Sequence, residues 1–137
     1  MYSSSFSADW SVFALGTDSE MMRRRMSEIN AVKEYFTKDY FPLSTFNGNL
    51  HHNDIWMCSQ FNDKKTGSGI VIGFRRSSAK NATFAAELKG IDKDGSYTVY
   101  DFNTDKSETV SGSRLASGFE ITLSEPGSSF LIKYEKK

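Results

Sequence analysis

Two clusters of polar side chains in the sequence could bind a metal ion, and each lacks part of what such a site needs. His51 and His52 are the only histidines, but neighbours on an extended strand point to opposite faces, so they cannot easily share one ion. The turn that contains Asp92 and Asp94 resembles the start of a calcium loop, yet no glutamate stands at the twelfth loop position. We therefore expect no metal site and no cofactor.

The single cysteine, Cys58, is the one candidate thiol nucleophile. It stands inside the alternating run IWMCSQF, whereas a reactive thiolate needs a neighbouring base and partial exposure to solvent. We expect a small buried residue there. The sequence also shows no nucleophile–base arrangement, no phosphate-binding glycine loop and no paired-carboxylate motif, so its patterns predict no catalytic residue.

Aromatic side chains are the stronger signal for binding. In SYTVYDF, Tyr97 and Val99 share one face of a predicted strand while Tyr100 and Phe102 share the other. Both faces can be buried only if something covers the second one. Aromatics on such a face would suit a contact with a neighbouring domain, which we prefer, or the flat side of a sugar ring. The candidate carbohydrate-binding residues are Trp56, Tyr97 and Tyr100.

Charge gives no indication of a nucleic-acid or membrane partner. The 137 residues contain 17 Lys and Arg against 17 Asp and Glu, and no segment approaches the roughly 18 unbroken apolar residues of a membrane span. Arg23, Arg24 and Arg25 are consecutive, so a helix would fan them over about 200° instead of forming one basic stripe. We expect a solvated or interdomain face there.

The elements that would carry these residues begin with one helix. The stretch TDSEMMRRRMSEINAVKEYF is its sequence, with Thr17 and Glu20 at the spacing of a capping box. Pro42 then prevents the helix from continuing. Steps of three and four place five apolar residues on one face: Met22, Met26, Ile29, Val32 and Phe36.

From about residue 50 the hydrophobic period changes to two. Seven short alternating segments follow, separated by turns rich in Gly, Asn, Asp, Ser and Pro: DIWMCSQF, SGIVIGF, ATFAAEL, SYTVYDF, SETVSG, GFEITL and SSFLIKYE. The connections leave no room for helices, so the strands should be antiparallel. We predict an all-β fold, an antiparallel two-sheet β-sandwich preceded by one α-helix.

The segment YFTKDYFPLST, residues 35–45, connects the helix to these strands. It crowds four aromatic rings and a proline into eleven residues, which a connector left in water would not need. We expect it to be pressed between two layers, with one of the layers contributed from outside this sequence.

Four motifs, in order, resemble the C-terminal end of α-galactosidase-like glycoside hydrolases, family 36 and its relatives. In that family the last helix of a (β/α)8 barrel runs into an aromatic connector, and a β-sandwich follows. The matching residues here are Asp39, Tyr40, Phe41, Pro42 and Leu43, then Trp56, Gln60 and Phe61, then Gly69, Val71, Phe74, Arg75 and Arg76, and finally Leu88, Gly90, Asp92, Tyr97, Val99 and Asp101.

The resemblance implies a non-catalytic role for this chain. Residues 1–46 would be the remnant of the barrel end with its connector, and residues 47–137 the β-sandwich domain. The surroundings of the family's two catalytic aspartates do not occur in the sequence, so no catalytic residue is carried over. The implied partner is the catalytic barrel of a parent enzyme, which the domain would brace, with a homo-oligomer contact as an added role. The alternative is a carbohydrate-binding module.

Overall fold

The protein is described here from a computed structural model, which covers residues 18–44 and 54–137. Helix α1 is Ser19–Val32, continued by a 3₁₀ turn Lys33–Thr37, and helix α2 is Gly112–Gly118. The strands are β1 Asp39–Pro42, β2 Trp56–Asp63, β3 Ser68–Arg75, β4 Thr83–Ala86, β5 Ser96–Asp101, β6 Lys106–Ser111, β7 Phe119–Thr122 and β8 Ser129–Lys136.

These strands form two antiparallel sheets. The larger has six strands in the order β1-β2-β3-β8-β5-β6, and the smaller pairs β4 with β7. All seven strands that alternation predicted are present, and one helix precedes them. The predicted fold class is therefore confirmed. None of the helices in the described ranges is long and apolar enough to cross a membrane.

Two elements were not predicted. The connector after α1 contains β1, which pairs with β2 through Tyr40 and Phe61, so this segment is an edge strand of the larger sheet as well as a link. Pro42 is tolerated because it ends an edge strand. The expectation that no helix fits between the strands is wrong at α2, where the Ser111 hydroxyl accepts a hydrogen bond from the Arg114 amide and Leu115 is buried.

The face of the six-stranded sheet that the small sheet covers, called the inner face below, carries the main core. Residues of one parity along each strand point to this face, and β4, β7 and α2 close it from the other side. The core side chains include Trp56, Cys58, Val71, Tyr97, Val99, Val110, Phe130, Ile132 and Tyr134 from the large sheet and Ala86, Leu88, Leu115, Phe119, Ile121 and Leu123 from the opposite layer.

The opposite face of the large sheet, called the outer face below, is covered by the chain's own helix. Val32 and Tyr35 pack on it with Ile70, Ile72, Phe102 and Leu131. This corrects one expectation, because a layer that covers the second face of β5 is present in this chain. The connector's rings divide accordingly, with Tyr35 buried and Tyr40 exposed.

Helix α1 begins one residue later than the capping box implied. The N-cap is Asp18, whose carboxylate accepts a hydrogen bond from the Met21 amide at 2.9 Å, while Thr17 lies outside the described residues. Only the second half of the predicted apolar stripe packs on the sheet, where Val32 is buried and Phe36 half-buried. Met26, in the first half, is 42% exposed.

Candidate functional site

Trp56 does not offer a platform to a ligand. It begins β2 and is 7% exposed, and its indole nitrogen donates a hydrogen bond to the Asn81 carbonyl at 3.0 Å. One ring face stacks on Phe84 at 5.7 Å between centroids, and Phe130 packs at 6.4 Å. The expectation that this indole is exposed is wrong because its N–H and one ring face are used inside the core, and only a small part of the residue borders the groove described below.

Tyr97 is likewise a core residue, at 1% exposure. Its hydroxyl accepts a hydrogen bond from the Asp92 amide at 2.9 Å and so fixes the turn that precedes β5. The expectation of an exposed ring is wrong here as well. This turn lies between β4 of the small sheet and β5 of the large sheet. Inside the turn, the Asp94 amide donates a hydrogen bond to the Asp92 carboxylate.

Tyr100 lies on the outer face, half-buried under α1. Its hydroxyl donates to the Asp105 carboxylate at 2.9 Å, and this hydrogen bond, with burial of the ring, raises the pKa of Tyr100. The rings of Tyr100 and Phe102 pack edge to face, with 4.7 Å between their centroids. Since Tyr97 and Tyr100 point to opposite faces of one strand, the three candidate residues do not form one surface. Sugar binding through Tyr100 stays a prediction.

An open groove with a volume of about 840 Å³ lies between β4 and the start of β2. Its walls carry Lys80, Glu87 and Lys89, and the Lys89 ammonium pairs with the Glu87 carboxylate at 3.4 Å. The same groove reaches Ser44 and Asp54, the residues that flank the undescribed segment 45–53.

The described residues hold no group of three or more His, Cys, Asp or Glu side chains placed to bind a metal ion. His51 and His52 lie outside the described residues. Cys58 is buried, as predicted, and burial raises the pKa of its thiol to about 12. A thiol with that pKa stays protonated at neutral pH, which is unsuited to nucleophilic attack.

The strongest candidate for a functional surface is the exposed side of α1, called the methionine face below. It is lined by Ser19, Met22, Arg23, Met26, Ser27 and Asn30. The predicted apolar stripe therefore runs from the packed half of the helix onto a half whose surface hollow is lined, among the described residues, by α1 alone. Methionine suits a contact with another protein because its flexible, polarisable side chain adapts to irregular surfaces.

On the opposite side of α1, a buried carboxylate pairs with two arginines of the same helix, and one of these arginines also contacts the end of β5 and the turn that follows. Glu28 is 6% exposed, and its two oxygens meet Arg24 at 3.2 Å and Arg25 at 2.8 Å. Arg24 also donates to the Phe102 carbonyl at 3.0 Å and to Asp105 at 3.1 Å. The arginine run is thus divided: Arg24 and Arg25 neutralise Glu28, and Arg23 lies on the methionine face.

Sequence reasoning identified Gln60 and Arg75 only as motif residues, without a role. Gln60 forms two 2.8 Å hydrogen bonds with the backbone of Lys89, and its amide nitrogen also donates to the Tyr134 hydroxyl. The Arg75 guanidinium donates to the carbonyls of four residues: Ala79, Lys80, Leu123 and Ser124. A polar residue at an inward position of an alternating strand was the available signal.

Comparison with known proteins gives a structural match. No protein-family model matches the sequence, and no curated protein matches it. The fold is similar to that of the GH36 α-galactosidase AgaA from Geobacillus stearothermophilus, solved in complex with raffinose, with a TM-score of 0.66 and 18% identity. The match covers 91% of this chain and 17% of that chain, so this chain spans less than a fifth of the length of that enzyme. This chain has the fold of one β-sandwich segment of a GH36 α-galactosidase.

Proposed function

We propose that this chain is a non-catalytic accessory domain of a glycoside hydrolase of the α-galactosidase type. Its role is to brace the catalytic barrel of the parent enzyme. The observation that carries this proposal is the fold match, which extends over 91% of this chain but only 17% of the matched α-galactosidase. Most of that enzyme's chain therefore has no counterpart in this one.

The methionine face supplies the contact that a bracing domain requires. Met22 and Met26 belong to the predicted apolar stripe, but they line the surface of α1 instead of packing in the cluster on the outer face. The division into a barrel remnant, 1–46, and a sandwich domain, 47–137, belongs to this proposal, with β1 contributing to the sandwich from within the first segment.

Carbohydrate binding is the less favoured function. Trp56 and Tyr97 are buried with their polar atoms hydrogen-bonded inside the fold. In an amide NMR titration with galactose, melibiose and raffinose at millimolar concentration, we expect no localised shift. Saturable shifts around Tyr100 would favour a binding module instead.

The catalytic part of the proposal is tested by assay and by gene sequence. We expect the 137-residue chain to hydrolyse neither raffinose nor melibiose, and the coding sequence upstream of Met1 to specify a (β/α)8 barrel with two catalytic aspartates. Hydrolysis by the 137-residue chain, or an upstream sequence without a barrel, would overturn the proposal.

The bracing contact is tested in that longer gene product with Met22→Lys and Met26→Lys. We expect the double variant to lower the melting temperature of the catalytic barrel, because two charges enter an apolar contact. Met57→Lys is the matched control, since Met57 is 49% exposed but lies on β2. An equal effect of the control would show that the methionine face is not the contact.

A further inference from the structure

The small sheet leaves the edge of β7 that faces away from β4 unpaired among the described residues. The Leu123 amide bonds to the Ala82 carbonyl at 2.9 Å, and the register pairs Thr122 with Thr83. Since backbone groups alternate in direction along an antiparallel strand, Glu120 and Thr122 point their N–H and C=O groups to the free edge. This edge can therefore accept one further strand.

A groove runs beside this edge, over the inner face of the large sheet. It consists of two adjoining cavities of about 370 and 220 Å³, which share Asp101, Thr104 and Ile132. Apolar side chains form the floor of the groove: Val99, Phe119, Ile121, Leu123, Phe130 and Ile132. An extended segment laid along β7 would direct every second side chain towards this floor.

The rim of the groove is acidic. Asp101, Glu108, Glu120 and Glu125 line it, against the single basic residue Lys106. Within the described ranges the three glutamates form no ion pair with a basic side chain. Glu120 projects to the outward side of β7, beside the position of the alternate side chains of an added strand.

We propose that the free edge of β7 is a docking site for an extended, basic segment of a partner protein. The segment adds to β7 as the third strand of the small sheet, as in strand addition by peptide-binding domains. Its backbone pairs with Glu120 and Thr122, its inward side chains are apolar, and its outward side chains are Lys or Arg. This surface is separate from the methionine face, so the inference does not depend on the bracing role.

The charge distribution distinguishes this occupant from two others. The undescribed segments 1–17 and 45–53 contain no Lys or Arg, so neither supplies the basic side chains. A second copy of the chain would place the Glu120 carboxylates of two antiparallel β7 strands close together, which is repulsive. Of the three candidates, a separate protein with a basic strand is therefore the one whose charge complements the acidic rim.

The test uses the full 137-residue chain, labelled with ¹⁵N, and a capped peptide of alternating Lys and Val as the probe. We expect saturable amide shifts confined to β7 and the groove. The matched peptide with Glu in place of Lys should bind at least tenfold more weakly. Absence of localised shifts at millimolar peptide, or equal binding of the two peptides, would overturn the proposal.

Two variants make the test specific to this edge. Thr122→Pro removes an outward N–H that β4 does not use and should weaken binding of the Lys peptide at least tenfold, whereas Thr122→Val should not. Glu120→Lys should reduce the preference for the Lys peptide, because one of the four acidic side chains of the rim becomes basic. Unchanged binding in Thr122→Pro, with the fold verified by its amide spectrum, would place the peptide elsewhere and contradict the proposal.

Hydrogen exchange in the free chain separates the remaining occupants. We expect the Glu120 and Thr122 amides to exchange rapidly, because no strand pairs with them. Protection at all concentrations would show that residues of the same chain occupy the edge. Protection that rises with protein concentration would show a second copy, and either result would overturn a partner protein as the occupant.

Discussion

The two faces of the six-stranded sheet are closed by different means. The inner face is covered by β4, β7 and α2 except at the groove beside β7, and hydrogen bonds from Gln60 and Arg75 to backbone carbonyls join the two layers. The outer face is covered by α1 and its 3₁₀ turn through a smaller apolar cluster, with half-exposed arginines around Glu28. The inner layer is therefore held by buried hydrogen bonds and a large apolar core, while the outer layer is held by fewer and more exposed contacts.

This difference indicates which parts of the molecule are available for partners. We expect a layer held by buried hydrogen bonds to the backbone to open only when the domain unfolds, whereas a helix held by a small apolar cluster and the contacts of Arg24 can open locally. The exposed methionine face belongs to the loosely attached layer. A neighbouring domain that covers it would therefore also stabilise the attachment of α1.

The largest expected effect is at Arg75. Arg75→Met should lower the free energy of unfolding by about 2–4 kcal/mol, because the buried carbonyls of Ala79, Leu123 and Ser124 lose their donor. Urea unfolding measures the change. Arg23→Met, on the exposed side of α1, is the matched control and should stay within about 0.5 kcal/mol of the original. Equal destabilisation by the two variants would contradict the assignment of Arg75 to the inner layer.

A smaller loss is expected at Gln60, which is fully buried. Gln60→Leu should cost about 2 kcal/mol, because the N–H and C=O of Lys89 lose their partner. Urea unfolding measures the total loss of unfolding free energy, and amide exchange at Lys89 shows whether the loss arises in this segment. If the Lys89 amide stays as protected as before, the Gln60 side chain does not fix this segment.

Alternation predicted the inner face well because each strand obeys one local rule. Phe119, Ile121 and Leu123 are buried between exposed neighbours, as period two requires. The outer layer escaped prediction because it depends on a contact distant in sequence, between Arg24 and the turn at Asp105. Glu28 is buried although charged, which an apolar stripe cannot indicate. Exposure of Trp56 was predicted wrongly because its cover, Phe84, comes from another sheet.

On the outer face, Glu28→Gln should cost about 1 kcal/mol, within the range of partly exposed ion pairs. The amide keeps the size of the side chain but removes the charge that Arg24 and Arg25 neutralise. Amide exchange should rise in α1 and remain unchanged in β3 and β8. Faster exchange throughout the sheet would show that α1 and the inner layer unfold together, and the proposed difference between the layers would be wrong.

The smallest effect should come from acid, at the pair between Lys38, after the 3₁₀ turn, and Asp63, at the end of β2. Their charged atoms lie 2.9 Å apart, and the hydrogen bond from Lys38 lowers the pKa of Asp63. A carboxyl with a lowered folded-state pKa contributes stability above its unfolded-state pKa of about 3.9, and this is lost as the pH falls through the folded-state pKa. As the pH falls below the unfolded-state pKa of Asp63, we therefore expect the amides around Lys38 to lose protection from exchange. The amides of the inner core should lose protection only at lower pH. Asp63→Asn should abolish this step, since the side chain no longer titrates, and persistence of the step in that variant would assign it to another carboxylate.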